Sequence, residues 1–286
     1  MTREEHDAYD YLRQTKKFPN VWCSGCGIGI VMAALIRAID RMGIHKDDIA
    51  VVSGIGCTGR MPVYLDFNTM HTTHGRALAF ATGLKLARPR LNVIVVMGDG
   101  DALAIGGNHF IHSARRNIDL TAIVVNNSIY GMTGGQYSPT TPMDSFASTA
   151  PYGNVEQPIP ICDLAIAAGA SFVARSTVYH AVEMDRFIEQ AILKQGFSLV
   201  EAVSYCHTTY GRINKLGTAV EMMRMLKERS VSKSAAEKLP PGELMDKIVR
   251  GVLCDMDKPE YTALYQQVIE RAQRVQKDGV TVEGVR

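Results

Sequence analysis

Aromatic residues, long apolar runs and an excess of charge are all scarce in this sequence. Aromatics make up 7% of the 286 residues, so the core must be built mainly from aliphatic side chains. No run approaches the roughly 18 apolar residues that a membrane-spanning helix needs, so we expect no membrane partner. The 31 basic and 29 acidic residues nearly balance, and the resulting net charge of +2 gives no reason to expect nucleic acid as a partner.

The N-terminal segment, residues 1–17, is polar and charged and lacks the apolar stretch of a signal peptide. We therefore expect a cytoplasmic protein, in which thiols stay reduced. Six cysteines in that compartment indicate metal or redox chemistry rather than disulfides.

Short runs rich in Val and Ile alternate with helical patterns through most of the chain. The sequence predicts buried strands at 49–52, 93–97, 120–125, 171–174 and 199–205, and helices at 30–42, 75–88, 108–116, 164–168 and 180–194. Solid apolar strands that alternate with helices are typical of a parallel sheet covered on both faces. The expected fold is therefore α/β, with a doubly wound parallel sheet.

Two other segments depart from this alternation. Residues 126–160 form an irregular stretch that is too long for an ordinary connection, and such loops usually carry function. After Gly211, charged amphipathic helices are predicted at 220–229 and 260–275, with a polar segment between them. We expect a main domain over 1–211 and a helical C-terminal extension over 212–286 that packs on a partner.

Two predicted strands end in unusual polar motifs, Gly98-Asp99-Gly100-Asp101 and Asn126-Asn127-Ser128-Ile129. Open parallel sheets bind ligands beyond the carboxyl ends of their strands. Glycines let a phosphate approach the backbone, and a diphosphate needs a cation such as Mg²⁺, which prefers hard oxygen ligands. Asp99 can supply a carboxylate, Asn127 an amide oxygen and Ile129 a backbone carbonyl. An ordinary turn explains either motif alone, whereas the ordered pair favours a diphosphate and metal site.

Four of the six cysteines lie where several thiolates could meet. Cys23 and Cys26 form a CxxC loop, Cys57 follows the first predicted strand, and Cys206 ends the last one. A CxxC pair alone fits a redox dithiol, half a zinc site or half an iron–sulfur site. The neighbouring diphosphate motif favours the iron–sulfur interpretation. The other two, Cys162 and Cys254, have helical, apolar surroundings. For them the sequence favours a role as small buried hydrophobic residues.

These motifs resemble those of a known family. The pair at the strand ends resembles the thiamine-diphosphate signature, Gly-Asp-Gly followed further along the chain by Asn-Asn. Further segments resemble motifs of the β subunits of 2-oxoacid:ferredoxin oxidoreductases. They are residues 22–27 (Trp-Cys-Ser-Gly-Cys-Gly), 54–57 (Gly-Ile-Gly-Cys), 74–77 (His-Gly-Arg-Ala), 133–136 (Thr-Gly-Gly-Gln) and 138–141 (Ser-Pro-Thr-Thr). The resemblance runs in order from about residue 18 to residue 211.

The resemblance implies a doubly wound α/β fold that oxidatively decarboxylates a 2-oxoacid, transfers the acyl group to coenzyme A and passes electrons through a 4Fe-4S cluster to ferredoxin. Residues 1–211 would be the thiamine-diphosphate and iron–sulfur binding domain. By motif, Mg²⁺ would be held by Asp99, Asn127 and Ile129, and the cluster by Cys23, Cys26, Cys57 and Cys206. The diphosphate cofactor would contact Ile55, Gly56, Cys57, Thr58, His74, Gly98, Gly100, Asp101, Asn127, Gly131 and Met132.

His74 and Arg76 are the candidate catalytic residues. They follow a loop rich in His and Thr and could bind the diphosphate or the substrate carboxylate, to which Arg can offer two parallel hydrogen bonds. A surface His and a solvated Arg explain the pattern equally well, and the sequence leaves the two interpretations open.

A partner chain and a substrate are also implied by the resemblance. Thiamine enzymes take an activating Glu from a second domain of similar fold, and residues 212–286 are too few and too helical to form one. An α-type subunit would supply that Glu and most contacts to coenzyme A. Residues 130–133, Tyr-Gly-Met-Thr, depart from the Asn-Thr-Gly-Gly-Gln of pyruvate-specific relatives and favour 2-oxoglutarate.

Two alternatives stay open at the level of sequence. A non-redox, thiamine-diphosphate-dependent 2-oxoacid decarboxylase subunit would share the metal motif but has no use for four clustered cysteines. A zinc-stabilised binding module without catalysis would explain the cysteines but not the pair of Asp99 and Asn127.

Overall fold

The computed structural model describes residues 8–15 and 19–277, and within them eight strands form one sheet. The strands are β1 (Ile49–Ser53), β2 (Asn68–His71), β3 (Asn92–Gly98), β4 (Thr121–Asn126), β5 (Phe172–Thr177), β6 (Ser198–Val203), β7 (Ser230–Ser232) and β8 (Ile248–Asp255). Their order across the sheet is β2-β1-β3-β4-β6-β5-β8-β7. The strands from β2 to β5 in that order are all parallel.

Helices cover both faces of this sheet. They are α1 (Ile28–Met42), α2 (Ala77–Ala87), α3 (Asp99–Leu103), α4 (Gly107–Arg115), α5 (Ile161–Ala168), α6 (Ala181–Leu193), α7 (Ala219–Arg229), α8 (Lys233–Ala236), α9 (Pro241–Leu244) and α10 (Tyr261–Lys277). One core lies between the sheet and α1 with α6, and the other lies between the sheet and α2, α4 and α5.

Strand β3 shows how one run of apolar residues serves both cores. Ile94 and Val96 pack on the side of α1, while Val93 and Val95 pack on the side of α2. Successive strand residues point to opposite faces of a sheet, so a strand buried on both faces must be apolar throughout. The predicted doubly wound α/β fold is confirmed.

The predicted elements before Gly211 are all present, with ends that differ by a few residues. Gly43 ends α1 as expected, because its left-handed φ of 64° lets its N–H reach the carbonyls of Ile39 and Asp40. The pattern did not indicate β2, Asn68–His71, because this edge strand is polar and partly exposed.

The segment after Gly211 is less helical than predicted. Helices α7 and α10 match the two predicted ones, but β8 pairs antiparallel with β5 and therefore extends the main sheet beyond the predicted domain. Arg250 and Gly251 interrupt the apolar run of β8, so its pattern did not indicate a strand. Cys254 lies in β8 and not in the helical surroundings predicted for it. The domain boundary and the packing of 212–286 on a partner stay predictions.

The loop between β4 and α5 has no helix or strand of its own, as predicted. Side-chain hydrogen bonds to the backbone hold it in place. Thr141 Oγ1 donates to the carbonyl of Ser128 at 2.7 Å, and Asn154 Nδ2 donates to the carbonyl of Thr141 at 2.9 Å. Across the described ranges, no helix combines the length and the apolar character needed to cross a membrane.

Candidate active site

The carboxyl ends of β1, β3 and β4 meet at one edge of the sheet, where β1 has β2 on one side and β3 on the other. The strand order therefore reverses at β1, and open α/β sheets bind ligands where the strand order reverses. A cleft of about 590 Å³, counting the part open to solvent, lies at this point. It is lined by Ile55, Gly56, Cys57, Thr58, His74, Gly98, Asp99, Gly100, Asp101, Asn127, Ile129, Tyr130, Gly131, Met132 and Thr133.

Every residue that the family resemblance assigns to the diphosphate cofactor or Mg²⁺ is therefore in the wall of one cleft. Their individual roles stay predictions. Tyr130 and Thr133 also line the cleft, although the family resemblance assigns neither of them a cofactor contact. Both belong to the irregular stretch after β4, whose length predicts function and whose residues 130–133 bear on the choice of 2-oxoacid.

Asp99, the first residue after β3, is buried at 2% exposure. Ser138 Oγ and Thr140 Oγ1 both donate to its Oδ2 oxygen, at 2.6 and 2.5 Å. Burial raises the pKa of the Asp99 carboxyl, while these two hydroxyls and the backbone amide of Asn127 favour its charged form. The two hydroxyls come from the Ser-Pro-Thr-Thr motif, so this motif holds the predicted metal ligand.

The turn after β4 brings the other two predicted Mg²⁺ ligands to the cleft. Ser128 has a left-handed φ of 61°, and Asn127 Oδ1 accepts a hydrogen bond from the backbone N–H of Ile129 at 3.3 Å. Asp99, Asn127 and Ile129, whose polar groups include a carboxylate, a side-chain amide and a turn carbonyl, all line the cleft. Hard oxygen donors of this kind fit Mg²⁺.

Asp101, also buried at 2% exposure, holds several other groups of the cleft wall in place. Its Oδ1 accepts from His74 Nδ1 at 2.6 Å and from the backbone N–H groups of Gly75 and Ile55 at 2.7 and 3.3 Å. Its Oδ2 is buried and has no hydrogen-bond partner. This oxygen packs against the backbone of Gly54.

Arg76 does not line the cleft. Its guanidinium donates to the backbone carbonyls of Ile105 and Gly75, at 2.9 and 3.3 Å. The structure therefore separates the two candidate catalytic residues: His74 lies in the cleft wall, and Arg76 binds backbone outside it. A contact between Arg76 and the diphosphate or the substrate carboxylate has no support from this geometry.

Tyr130 closes one side of the cleft over Gly100. Its hydroxyl donates to the carbonyl of Gly100 at 3.1 Å, and a side chain at position 100 would overlap the Tyr130 ring. Burial, followed by the nearby carboxylates of Asp99 and Asp101, raises the pKa of Tyr130 to about 12. The phenol is therefore neutral at physiological pH and acts as a hydrogen-bond donor.

The CxxC loop lies beside this cleft. Trp22 Nε1 donates to the carbonyl of Cys57 at 2.8 Å, and Tyr205 Oη donates to the carbonyl of Gly25 at 2.9 Å. Gly25 has a φ of +83°, and a side chain there would contact α7 at 2.8 Å. These contacts fasten the loop to the ends of β1 and β6.

The four predicted cluster ligands gather around this loop. The thiols of Cys23 and Cys206 lie 3.6 and 3.7 Å from the same hydroxyl, that of Thr208. Burial, followed by the charges of Cys57, Cys206 and Cys23, raises the pKa of Cys26 to about 11. Four thiolates at one place therefore need a cationic group to neutralise them.

A 4Fe-4S cluster, in which each iron is held by one Cys thiolate, would supply such a group. Among the described residues, no three or more His, Cys, Asp or Glu side chains converge on a point that could hold one metal ion. A 4Fe-4S cluster instead places each of its four thiolates on a different iron atom, so the sulfurs lie further apart. The donor set of Cys23, Cys26, Cys57 and Cys206 is of the kind that ligates a 4Fe-4S cluster.

Comparison with known proteins agrees with this geometry. Residues 54–202, from the end of β1 to β6, match the family model described as the C-terminal TPP binding domain of thiamine pyrophosphate enzymes. The 2-oxoglutarate synthase subunit KorB of Methanocaldococcus jannaschii is 50% identical over 266 residues, which cover 93% of this chain and 98% of that protein. The 2-oxoacid:ferredoxin oxidoreductase subunit beta of Saccharolobus solfataricus is 38% identical over 247 residues, covering 86% and 80%.

A solved structure is similar over almost the whole chain. The 2-oxoglutarate:ferredoxin oxidoreductase from Magnetococcus marinus, with 2-oxoglutarate, coenzyme A and succinyl-CoA bound, superposes with a TM-score of 0.84 at 33% identity. The match covers 95% of this chain and 92% of that one. The non-redox decarboxylase and the zinc-stabilised module are both disfavoured by these relatives. The chain belongs to the thiamine-diphosphate-binding β subunits of the 2-oxoacid:ferredoxin oxidoreductases.

Proposed function

We propose that this β subunit, together with an α-type partner, oxidatively decarboxylates 2-oxoglutarate to succinyl-CoA and CO₂ and passes the electrons through a 4Fe-4S cluster to ferredoxin. The observation that carries the proposal is the single cleft at the ends of β1, β3 and β4. This cleft combines a donor set suited to a diphosphate-bound Mg²⁺ with a wall that borders four cysteines.

Thiamine diphosphate and Mg²⁺ would lie in this cleft, with the metal held by Asp99, Asn127 and the carbonyl of Ile129. When bound, the cofactor supplies an electron sink for the carbon atom that loses CO₂. Gly100 and Gly131 line the same wall, and without side chains they let phosphate oxygens approach the backbone. Ser138 and Thr140 would hold Asp99 in the orientation that the metal requires.

His74 would bind the diphosphate or the substrate carboxylate. Because the Nδ1 atom of His74 is engaged in a hydrogen bond with Asp101, Nε2 is the one remaining polar atom of the His74 ring. The apolar side chains of Ile55 and Met132 also line the cleft, although they are 41% and 46% exposed in this chain. A partner that covers them would exclude water from the reacting centre.

Cys23, Cys26, Cys57 and Cys206 would hold the cluster. Cys57 belongs both to the cleft wall and to the group of four thiols. Gly131 packs against the same group, since a Cβ on Gly131 would lie 3.1 Å from Cys206 Sγ. The cofactor and the cluster would therefore be separated by little more than one layer of residues, which favours electron transfer between them.

An α-type subunit would supply the Glu that activates thiamine diphosphate. The carboxylates that line the cleft among the described residues are Asp99 and Asp101, and both are held by hydrogen bonds from this chain. Glu201 lies in the middle of β6 with both carboxylate oxygens bonded within the sheet. This absence of a free Glu at the cleft supports a partner that completes the site.

The choice of 2-oxoglutarate rests on relatives and on the loop after β4. The M. jannaschii relative is named a 2-oxoglutarate synthase subunit, and the M. marinus structure contains 2-oxoglutarate and succinyl-CoA. Tyr130 and Met132, where the sequence departs from pyruvate-specific relatives, both line the cleft. Most contacts to coenzyme A would come from the partner.

The test is viologen reduction by the enzyme assembled from this chain and an α-type partner, with coenzyme A, Mg²⁺ and thiamine diphosphate. We expect turnover with 2-oxoglutarate and much slower turnover with pyruvate. Reconstituted without its partner, the chain should give no turnover. Asp99→Asn should abolish activity, whereas Asp47→Asn, which changes a carboxylate with an 85% exposed side chain, should not. Full activity of the isolated chain, or a preference for pyruvate, would contradict the proposal.

A further inference from the structure

A charged residue lies inside the sheet, in the middle of the apolar strand β6. Glu201 is 3% exposed, in a strand whose other residues are Ser, Leu, Val and Ala. Buried carboxylates are rare unless they are paired. The groups that contact the Glu201 carboxylate therefore indicate its role.

Three polar groups reach the Glu201 carboxylate. Arg175 Nε on β5 donates to Oε2 at 2.7 Å, and the thiol of Cys162 on α5 donates to the same oxygen at 3.1 Å. Asn126 Nδ2, at the end of β4, donates to Oε1 at 2.8 Å. Burial alone would lower the pKa of the Arg175 guanidinium, but the Glu201 carboxylate outweighs burial and raises it, so the guanidinium stays charged.

The register of the strands explains why these side chains meet. Glu201 lies opposite Arg175 on β5 and opposite Val124 on β4. Asn126 is two residues beyond Val124, so it points to the same face of the sheet and is a diagonal neighbour of Glu201. Cys162 lies in the helix that covers this face.

Asn126 connects this buried group to the cleft. Its Oδ1 accepts from the backbone N–H of Ser128 at 3.3 Å, and its backbone carbonyl accepts from the N–H of Ser204 at 2.8 Å. Both ends of its side-chain amide are thus engaged, one with Glu201 and one with the turn. That turn has a left-handed residue, Ser128, and carries Asn127 and Ile129 into the cleft.

We propose that Glu201 is a positioning residue for the metal site: its carboxylate fixes the amide of Asn126, and Asn126 fixes the turn that presents Asn127 and Ile129 to Mg²⁺. The inference rests on the proposed function, because the metal site is part of it. Arg175 pairs with the carboxylate and orients it. Two apolar side chains at positions 175 and 201 could fill the same space equally well, but they would leave Asn126 Nδ2 without an acceptor.

The experiment compares two variants that both remove the buried charges. In Glu201→Gln with Arg175→Met, the Gln carbonyl can still accept from Asn126. In Glu201→Leu with Arg175→Met, no acceptor remains. Each is assembled with its α-type partner and stripped of cofactor, and the Mg²⁺ affinity is measured by calorimetry at saturating thiamine diphosphate. The thermal midpoint of the stripped enzyme is measured in parallel.

We expect the Leu variant to bind Mg²⁺ about tenfold more weakly or worse, the usual effect of removing a group that orients a ligand. The Gln variant should stay close to the wild type. Asn126→Ala should weaken Mg²⁺ binding by a similar factor in the wild type and in the Gln variant, but not further in the Leu variant, because the two residues act through one hydrogen bond.

Equal Mg²⁺ affinity in the Gln and Leu variants would overturn the positioning role, even if their thermal midpoints differ, since a purely structural role predicts that result. If the Leu variant fails to assemble, Asn126→Ala in the wild-type background decides the question: unchanged Mg²⁺ affinity refutes the inference. A wild-type enzyme that binds neither Mg²⁺ nor thiamine diphosphate would instead refute the proposed function.

Discussion

The carboxylate of Asp101 lies directly against the backbone of Gly54, so that a methyl group on Gly54 would overlap both carboxylate oxygens. The contact brings the end of β1 against the first turn after β3. Because Asp101 also holds His74 and Gly75, this one contact sets the shape of a cleft wall.

Gly54→Ala should therefore displace Asp101 and break its hydrogen bonds to His74 and Gly75. We expect a loss of about 1–3 kcal/mol in the free energy of unfolding, typical of overpacking a buried site, and weaker binding of thiamine diphosphate. Urea unfolding and calorimetry measure the two effects. Gly83→Ala is the matched control, because Gly83 lies inside α2 with open space around it. It should raise stability slightly, and equal behaviour of the two variants would contradict the prediction.

Ser138→Ala and Thr140→Val should each weaken Mg²⁺ binding about tenfold, because each removes a hydroxyl that orients Asp99 Oδ2. The measurement is Mg²⁺-dependent retention of thiamine diphosphate in the assembled enzyme. Thr121→Val is the control: this buried hydroxyl donates to the carbonyl of Ala191, away from the cleft. It should cost about 1 kcal/mol of stability and leave the Mg²⁺ affinity unchanged. The interpretation fails if all three variants bind Mg²⁺ alike.

Single Cys→Ser replacements should divide the cysteines into two groups. Iron content and broad visible absorption should fall for the four predicted ligands, Cys23, Cys26, Cys57 and Cys206. Both should persist for Cys162, whose thiol donates to Glu201, and for Cys254, whose thiol lies near a backbone carbonyl. A Ser hydroxyl can replace either of these two donors. Iron that depends on Cys162 or Cys254 but not on Cys206 would show that the ligand set is wrong.

Removal of residues 212–286 should make the chain aggregate, because it deletes β8 and opens the edge of β5. An unpaired apolar edge strand is a template for association with other chains. A chain that ends at Lys258 keeps β8, loses only α10 among the described elements and should remain monodisperse. Size-exclusion chromatography with light scattering distinguishes the two. A monodisperse protein that ends at Gly211 would show that the sheet does not need β8.

Those parts of the fold and of the cleft that depend on short local patterns could be predicted from the sequence. Residues 93–97 of β3 are all apolar and are followed by Gly-Asp-Gly, so both the burial of the strand on two faces and the ligand site at its end follow from local pattern. The roles of Arg76 and β8 could not be predicted. Whether Arg76 faces the cleft depends on where the carbonyl of Ile105 lies, and β8 is recognised as a strand through its pairing with β5, 70 or so residues away in the chain.

Glu201 is an intermediate case. A carboxylate within the apolar run Ser198–Val203 is a visible signal that something must pair with it. The sequence does not identify the partners, because Arg175, Asn126 and Cys162 come from three separate elements that only the strand order β4-β6-β5 brings together.

Trp22, whose indole N–H donates to the carbonyl of Cys57, is the single tryptophan of the sequence. Its ring also packs against Tyr64, with 5.3 Å between the ring centroids. All tryptophan emission of this chain therefore originates next to one cysteine of the group that we assign to the cluster. Iron–sulfur centres absorb light at the wavelengths where indole emits, so a cluster at this position would quench that emission. With such a cluster bound, Trp22 would act as an intrinsic optical reporter, and its fluorescence would increase with the fraction of molecules that have lost the cluster.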